Sequence, residues 1–172
     1  MMKQGDDFMR VNKTKQLVLA SLLAAIACIA TMVTKFPSPP PLKGYINLGD
    51  CVVLLSGWLS GPVWGFLAAG IGSALADLIL GYTVYIPATF LIKGLMAVVA
   101  FYIARRGTWS FRILSALLAE LVMVAGYYLF DAFLYGFATS AINVPGSLMQ
   151  GFAGFVTGLI LMRFLEKGNW KR

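Results

Sequence analysis

Residues 48–80 read LGDCVVLLSGWLSGPVWGFLAAGIGSALADLIL, an apolar run too long for one membrane crossing and broken near its middle at Ser60-Gly61-Pro62. A helical crossing takes about 20 residues. Proline is at home in the first turn of a helix, where its missing N–H costs nothing, so Pro62 belongs at the start of a second helix. The spacing predicts a short helix over 48–59 and a longer one over 63–80. Asp50 lies at the opening of the first and Asp77 near the end of the second.

Reading outward, the pattern recurs. Leu17 to Val33 is apolar and is stopped by Lys35-Phe36-Pro37-Ser38-Pro39-Pro40-Pro41, because proline cannot continue a helix and the residue before it avoids the α region. A basic stretch precedes this run, as it would in a secretory signal. The run is long for a signal core, however, and no clear cleavage site precedes Pro37, so it reads as a retained helix over 17–33. Residues 35–47 form the longest polar connection. Gly81-Tyr82 turns the chain, and further helices are expected over 86–104, 111–135 and 144–165. The expectation is therefore an all-α integral membrane protein, a single domain over 1–172 with six helices. The short helix over 48–59 is open to a partly re-entrant placement.

Composition agrees. Of the 172 residues, 59% are hydrophobic and 12% charged, and the mean hydropathy is +0.80. A soluble domain has about 45–50% apolar and 25% charged residues. A chain this short cannot hide the excess from water. It must face lipid.

The net charge of +7 is explained by position. Lys3, Arg10, Lys13 and Lys15 precede the first run, Arg105, Arg106 and Arg112 fill one gap, and Arg163, Lys167, Lys171 and Arg172 close the chain. These are 11 of the 14 basic residues, and six crossings put all three clusters on one side. Only Lys35 and Lys43 fall on the other. Under the positive-inside rule both termini are expected in the cytoplasm and 35–47 outside. No basic face interleaved with aromatics appears, which argues against nucleic acid.

Several chemistries are excluded. The chain has no His, so Ser-His and Cys-His catalytic pairs and HExxH zinc sites are ruled out. Cys28 and Cys51 lack CxxC spacing and read as structural thiols, too few for a thiolate metal site. No GxxxxGK[ST] loop is present. Gly70-Ile71-Gly72 follows no strand and is not a dinucleotide fingerprint. No metal or cofactor is expected.

Ionisable groups in apolar segments are costly and mark pairs or sites. Asp50, Asp77 and Lys93 all fall in the outer half of the expected bundle. They form either an ion-paired clamp or, through one of them, a contact to substrate. Glu120, Tyr127 and Asp131 follow i, i+7, i+11 spacing along one stripe. Ser147, Gln150, Gly154 and Thr157 make a second stripe, with Asn143 above it. Two facing polar stripes suit a polar heteroaromatic solute, and the rival is a seam that only holds helices together. Tyr45 and Asn47 sit where the first loop would cap a pocket. Ala20, Ala24 and Ala27, with Thr31, give the first helix a face of small residues. Ser21, Ala25 and Cys28 form an adjoining strip.

Four blocks together carry a resemblance: Tyr45-Ile46-Asn47-Leu48-Gly49-Asp50, Gly57-Trp58-Leu59-Ser60-Gly61-Pro62, Ile71-Gly72-Ser73-Ala74-Leu75-Ala76-Asp77 and Pro87-Ala88-Thr89-Phe90-Leu91-Ile92-Lys93-Gly94. The set resembles the substrate-binding S subunits of energy-coupling factor (ECF) vitamin transporters, nearest the hydroxymethylpyrimidine and pyridoxine-type members. The resemblance implies six helices with cytoplasmic ends in a prokaryotic cell membrane. It also implies a non-enzymatic subunit with an outward-facing vitamin pocket, built mainly from the last three helices and capped by the first loop. The first three helices would dock on a transmembrane T subunit coupled to two ATPases. Family members carry a small-xxx-small pattern on the first helix for that docking, and Ala20 to Ala24 matches it. The residues thus expected at the substrate are Glu120, Tyr127, Asp131, Asn143, Ser147, Gln150, Lys93, Tyr45 and Asn47. A stand-alone secondary transporter or channel is the alternative, but it would call for an internal repeat, and none is visible.

Overall fold

The computed structural model describes residues 13–37 and 45–167. Lys3, Arg10, Lys43, Lys171, Arg172 and the prolines Pro39 to Pro41 lie outside the described residues. The order is α1 (Lys13–Val33), β1 (Phe36–Pro37), β2 (Tyr45–Ile46), α2 (Asp50–Leu80), a 3-10 turn (Thr83–Tyr85), α3 (Ile86–Ala104), α4 (Trp109–Tyr135), α5 (Phe137–Ser140), a second 3-10 turn (Ala141–Asn143) and α6 (Val144–Lys167). Among the described residues, five helical segments are long and apolar enough to cross a membrane.

α2 is the element on which the count turns. It spans Asp50 to Leu80 and consists of two helical arms joined at a kink, where Gly61 has φ 81° and ψ −175°. That backbone conformation is essentially reserved for glycine, and Pro62 then starts a new arm. The chain folds back here. A Cβ placed on Gly65 would lie 2.7 Å from the Ser56 carbonyl oxygen and 3.0 Å from the Gly57 Cα. In a straight helix, residues eight or nine apart stand about 12–13 Å from each other. Likewise Asp50 and Asp77 would be about 40 Å apart on a straight helix. Instead both reach the same polar region, Asp50 through Lys93 and Asp77 through Tyr45.

The interior is built from small side chains. Ala27, Ala69, Ala76, Ala97, Ala100, Ala116 and Ala119 are fully buried, whereas Leu22, Ile29, Leu78, Phe133 and Phe164 are exposed. This inverts the soluble pattern. Lipid is as apolar as leucine, so helices gain by close backbone approach and turn their bulky groups outward. Gly72 meets the backbone of Ala24, and Gly57 meets that of Ala97.

That packing corrects one expectation. Ala20 does not face outward, and Ala24 does so only in part. Ala20 is buried with Leu23, Ala27 and Thr31, and Ala24 backs onto Gly72 of α2. The exposed strip of α1 is the adjoining one, through Ser21 and Ala25.

Two further features lie beyond the sequence reading. β1 and β2 pair antiparallel, Phe36 opposite Ile46 and Pro37 opposite Tyr45, so the base of the first loop is a small ladder. Leu48 N–H also donates to Thr34 Oγ1 at 2.9 Å across it. After α4, Gly136 at φ 86° breaks the helix, and α5 leads the chain into α6. The opposite end of the bundle is basic. There Arg112 pairs with Glu166 at 3.1 Å, and the Arg163 guanidinium lies 4.7 Å from the Trp109 ring centre.

Gly65→Leu tests the fold-back. Leucine suits an apolar helix, so on a straight helix it would be neutral. Against the Ser56–Gly57 backbone it should cost about 1–3 kcal/mol through overpacking. Thermal unfolding in detergent reads this, and an unchanged midpoint means the two arms do not touch.

Candidate functional site

Beside the loop ladder lies a polar cavity, with α1, α2, α3, α4 and α6 all contributing to its wall. Of the residues expected at the substrate, Tyr45, Asn47, Lys93, Tyr127, Asn143, Ser147 and Gln150 line it. Glu120 and Asp131 do not. Thr31, Ser73, Asp77, Tyr85 and Thr89 complete the polar lining.

A hydrogen-bonded chain runs from the loop to the floor. Lys93 Nζ on α3 contacts Asp50 Oδ1 at the start of α2, and both side chains are almost fully buried. Gln150 Nε2 on α6 donates to the other Asp50 oxygen at 2.7 Å. The Gln150 carbonyl in turn accepts from Asn47 N–H at 3.0 Å, and Asn47 Oδ1 accepts from Gly49 N–H at 2.8 Å. Three helices and the loop are thereby joined through four side chains. Lys93 also lies over the Tyr127 ring at 5.4 Å, a cation–π distance.

Asp77 stands apart from that ion pair. Its Oδ1 accepts from Tyr45 O–H at 2.5 Å, and the Tyr45 ring rests on Tyr82 at 4.7 Å. The expected trio therefore divides into an ion pair, Lys93 with Asp50, and a loop anchor, Asp77 with Tyr45. Asp131 is buried behind the wall, where Tyr85 O–H and Asn143 Nδ2 donate to it at 2.8 and 3.0 Å. It orients two lining residues. Glu120 lies deeper, against Gly151 and Gly154, and neither of its oxygens has a hydrogen-bond partner among the described residues. Thr157 turns its hydroxyl to its own helix, at Ala153. Among the described residues no three His, Cys, Asp or Glu side chains converge to hold a metal.

The geometry is that of a binding pocket: a buried cation, several neutral hydrogen-bonding groups and aromatic rings under a loop. The model of the ECF-type riboflavin transporter S component family matches residues 11–167. The chain belongs to that family. It is thus a multi-pass cell-membrane protein and the substrate-binding component of a transporter. It is 35% identical over 140 residues to an uncharacterized protein of Pyrococcus woesei, covering 81% of this chain and 93% of the relative. It is 25% identical over 153 residues to the thiamine precursor transporter HmpT of Lactococcus lactis subsp. cremoris MG1363, covering 89% of each. A solved S component of a bacterial ECF transporter shares its fold with a TM-score of 0.75, at 23% identity, covering 93% of this chain and all of the other.

Two expectations follow from the site of this S component. Lys93→Met leaves Asp50 charged, buried and unpaired, which should cost about 3–5 kcal/mol. Adding Asp50→Leu should recover most of that loss in thermal unfolding, and failure to recover means the pair is not the source. Tyr45, at the loop base, behaves differently. Burial, reinforced by Asp77, holds its phenol above the ordinary value near 10. Its contribution to stability is therefore complete below about pH 10 and is lost as pH rises through the higher folded value. Tyr45→Phe should remove that alkaline limb from a stability-versus-pH curve.

Proposed function

We propose that this S component captures a small single-ring vitamin or precursor, hydroxymethylpyrimidine-like or pyridoxine-like, from outside the cell. The observation that carries this reading is the cavity itself. It is bordered by the base of the first loop, Tyr45 to Asn47, which is tied to α2 and α6, and is lined by a buried lysine, tyrosines and amides. At about 40 Å³ the cavity is smaller than one aromatic ring fills, so any ligand must widen it, and a small ring asks for the least widening. The thiamine precursor transport named for the Lactococcus relative points to the same size class. Glu120 and Asp131 act in this proposal from behind the wall, and the other seven expected residues meet the ligand.

The proposal includes six crossings with both ends in the cytoplasm. The fold-back at Gly61 supports counting α2 as two arms, and the even count returns the basic clusters to one side. Energy would come from a T subunit and two ATPases. Docking on the T subunit would use the exposed small residues Ser21 and Ala25 of α1 in place of Ala20 and Ala24.

Native mass spectrometry of gently purified protein should weigh a co-purified single-ring ligand. Ser21→Trp with Ala25→Trp should leave ligand binding intact and abolish accumulation by cells that make the whole module. Normal accumulation by that variant would remove this strip from docking. Concentrative uptake by the chain alone, in liposomes without ATPases, would overturn the capture-subunit reading.

A further inference from the structure

Two residues of the cavity wall each carry a buried polar atom that has no hydrogen-bond partner among the described residues: Ser73 Oγ and Asp77 Oδ2. Both residues are 2% exposed. Such groups are rare in folded proteins, and each one costs free energy unless something meets it. Ser73 and Asp77 are four residues apart on α2, so they stand one above the other on a single face with Cβ atoms about 5–6 Å apart. The Thr89 hydroxyl lies near the same carboxyl group and is shared with Tyr127 O–H at 3.1 Å, where either oxygen can donate. Tyr45 takes only Oδ1, leaving Oδ2 without a partner among the described residues.

The pair offers an acceptor-only oxygen beside a hydroxyl that can donate. A ligand edge with an N–H donor next to a ring-nitrogen acceptor satisfies both at once. We propose that Ser73 and Asp77 read the amino-and-ring-nitrogen edge of an aminopyrimidine. This rests on the capture reading and narrows it. A pyridoxine-type ring carries hydroxyl and hydroxymethyl groups and has no amino group beside its ring nitrogen, so it meets the pair only by bringing a hydroxyl there, with a different spacing. Specificity of this kind is steep, because the wrong ligand strands buried polar groups in the site. Lys93 and Gln150 are already committed to Asp50, so they do not duplicate this readout.

The test uses the whole chain in lipid nanodiscs and titration calorimetry with three probes. These are a hydroxymethyl aminopyrimidine, the same compound with methyl in place of amino, and pyridoxine. The unmutated chain should bind the amino compound at least about tenfold more tightly than the other two. Asp77→Asn presents an amide where the acceptor stood, and Ser73→Ala removes the donor. Each should erase most of that preference, read as the ratio of amino to methyl affinity within the same variant. Ser73→Ala alone suffices if Asp77→Asn unfolds. Equal binding of the amino and methyl compounds, or a preference that survives Ser73→Ala, overturns the pair while the capture reading stands. No binding of any probe overturns the single-ring capture reading, and this inference with it.

Discussion

The contact between Lys93 and Asp50 is the constraint around which the outer half of this bundle is organised. A lone charge at that depth costs several kcal/mol, so neither residue is tolerable without the other. One comes from α3 and the other from the first residue of α2, which fixes where the long loop must end. Gln150 occupies the second Asp50 oxygen and passes the constraint to α6 and to Asn47. The pocket floor and the loop base are therefore parts of one network. A solute reaching Lys93 meets a cation whose orientation is already set.

Small residues make that network geometrically available. A Cβ on Gly154 would fall 2.6 Å from Asp50 Cβ and 2.7 Å from Glu120 Oε1, so α6 reaches the acidic pair only because this position is glycine. Gly94 lies directly under the Phe66 ring, one residue after Lys93, and lets α3 sit close enough to α2 for the ion pair. Here packing precedes electrostatics. Without lipid-driven squeezing between helices, surface complementarity at such points supplies the cohesion.

The apolar runs, the proline-rich stop and the break at Ser60-Gly61-Pro62 were legible because each has a local cause. Most of the cavity wall was legible too, since polar groups in apolar helices are few. The two misplaced acids have a common physical reason. Glu120 and Asp131 share a stripe on α4, but eleven residues of helix separate them by roughly 16 Å along the axis, too far for one small pocket. Periodicity gives a face and no depth. Asp77 was read as part of an ion cluster because a single sequence cannot tell which acid Lys93 selects. For the same reason Ala20 and Ala24 were assigned outward: a smooth strip serves an internal neighbour as well as an external one. The loop ladder at Phe36–Pro37 was hidden because its partner strand follows a run of prolines.

The fold-back at Gly61 also bears on how the chain is made. The first arm of α2 is about eleven residues long, roughly 16 Å, half of a hydrocarbon core of about 30 Å. Such an arm cannot leave the translocon alone. It must enter the bilayer as a hairpin with the arm that follows. Even then its leading residue, Asp50, lacks its counterion, Lys93, 43 residues downstream, and its amide partner, Gln150, 100 residues downstream. At about 5–20 residues per second, the ribosome delivers the last of these on the order of 5–20 s later. Through that interval the nascent hairpin carries an acid without its protein partners, which favours keeping that end near water until the later helices arrive.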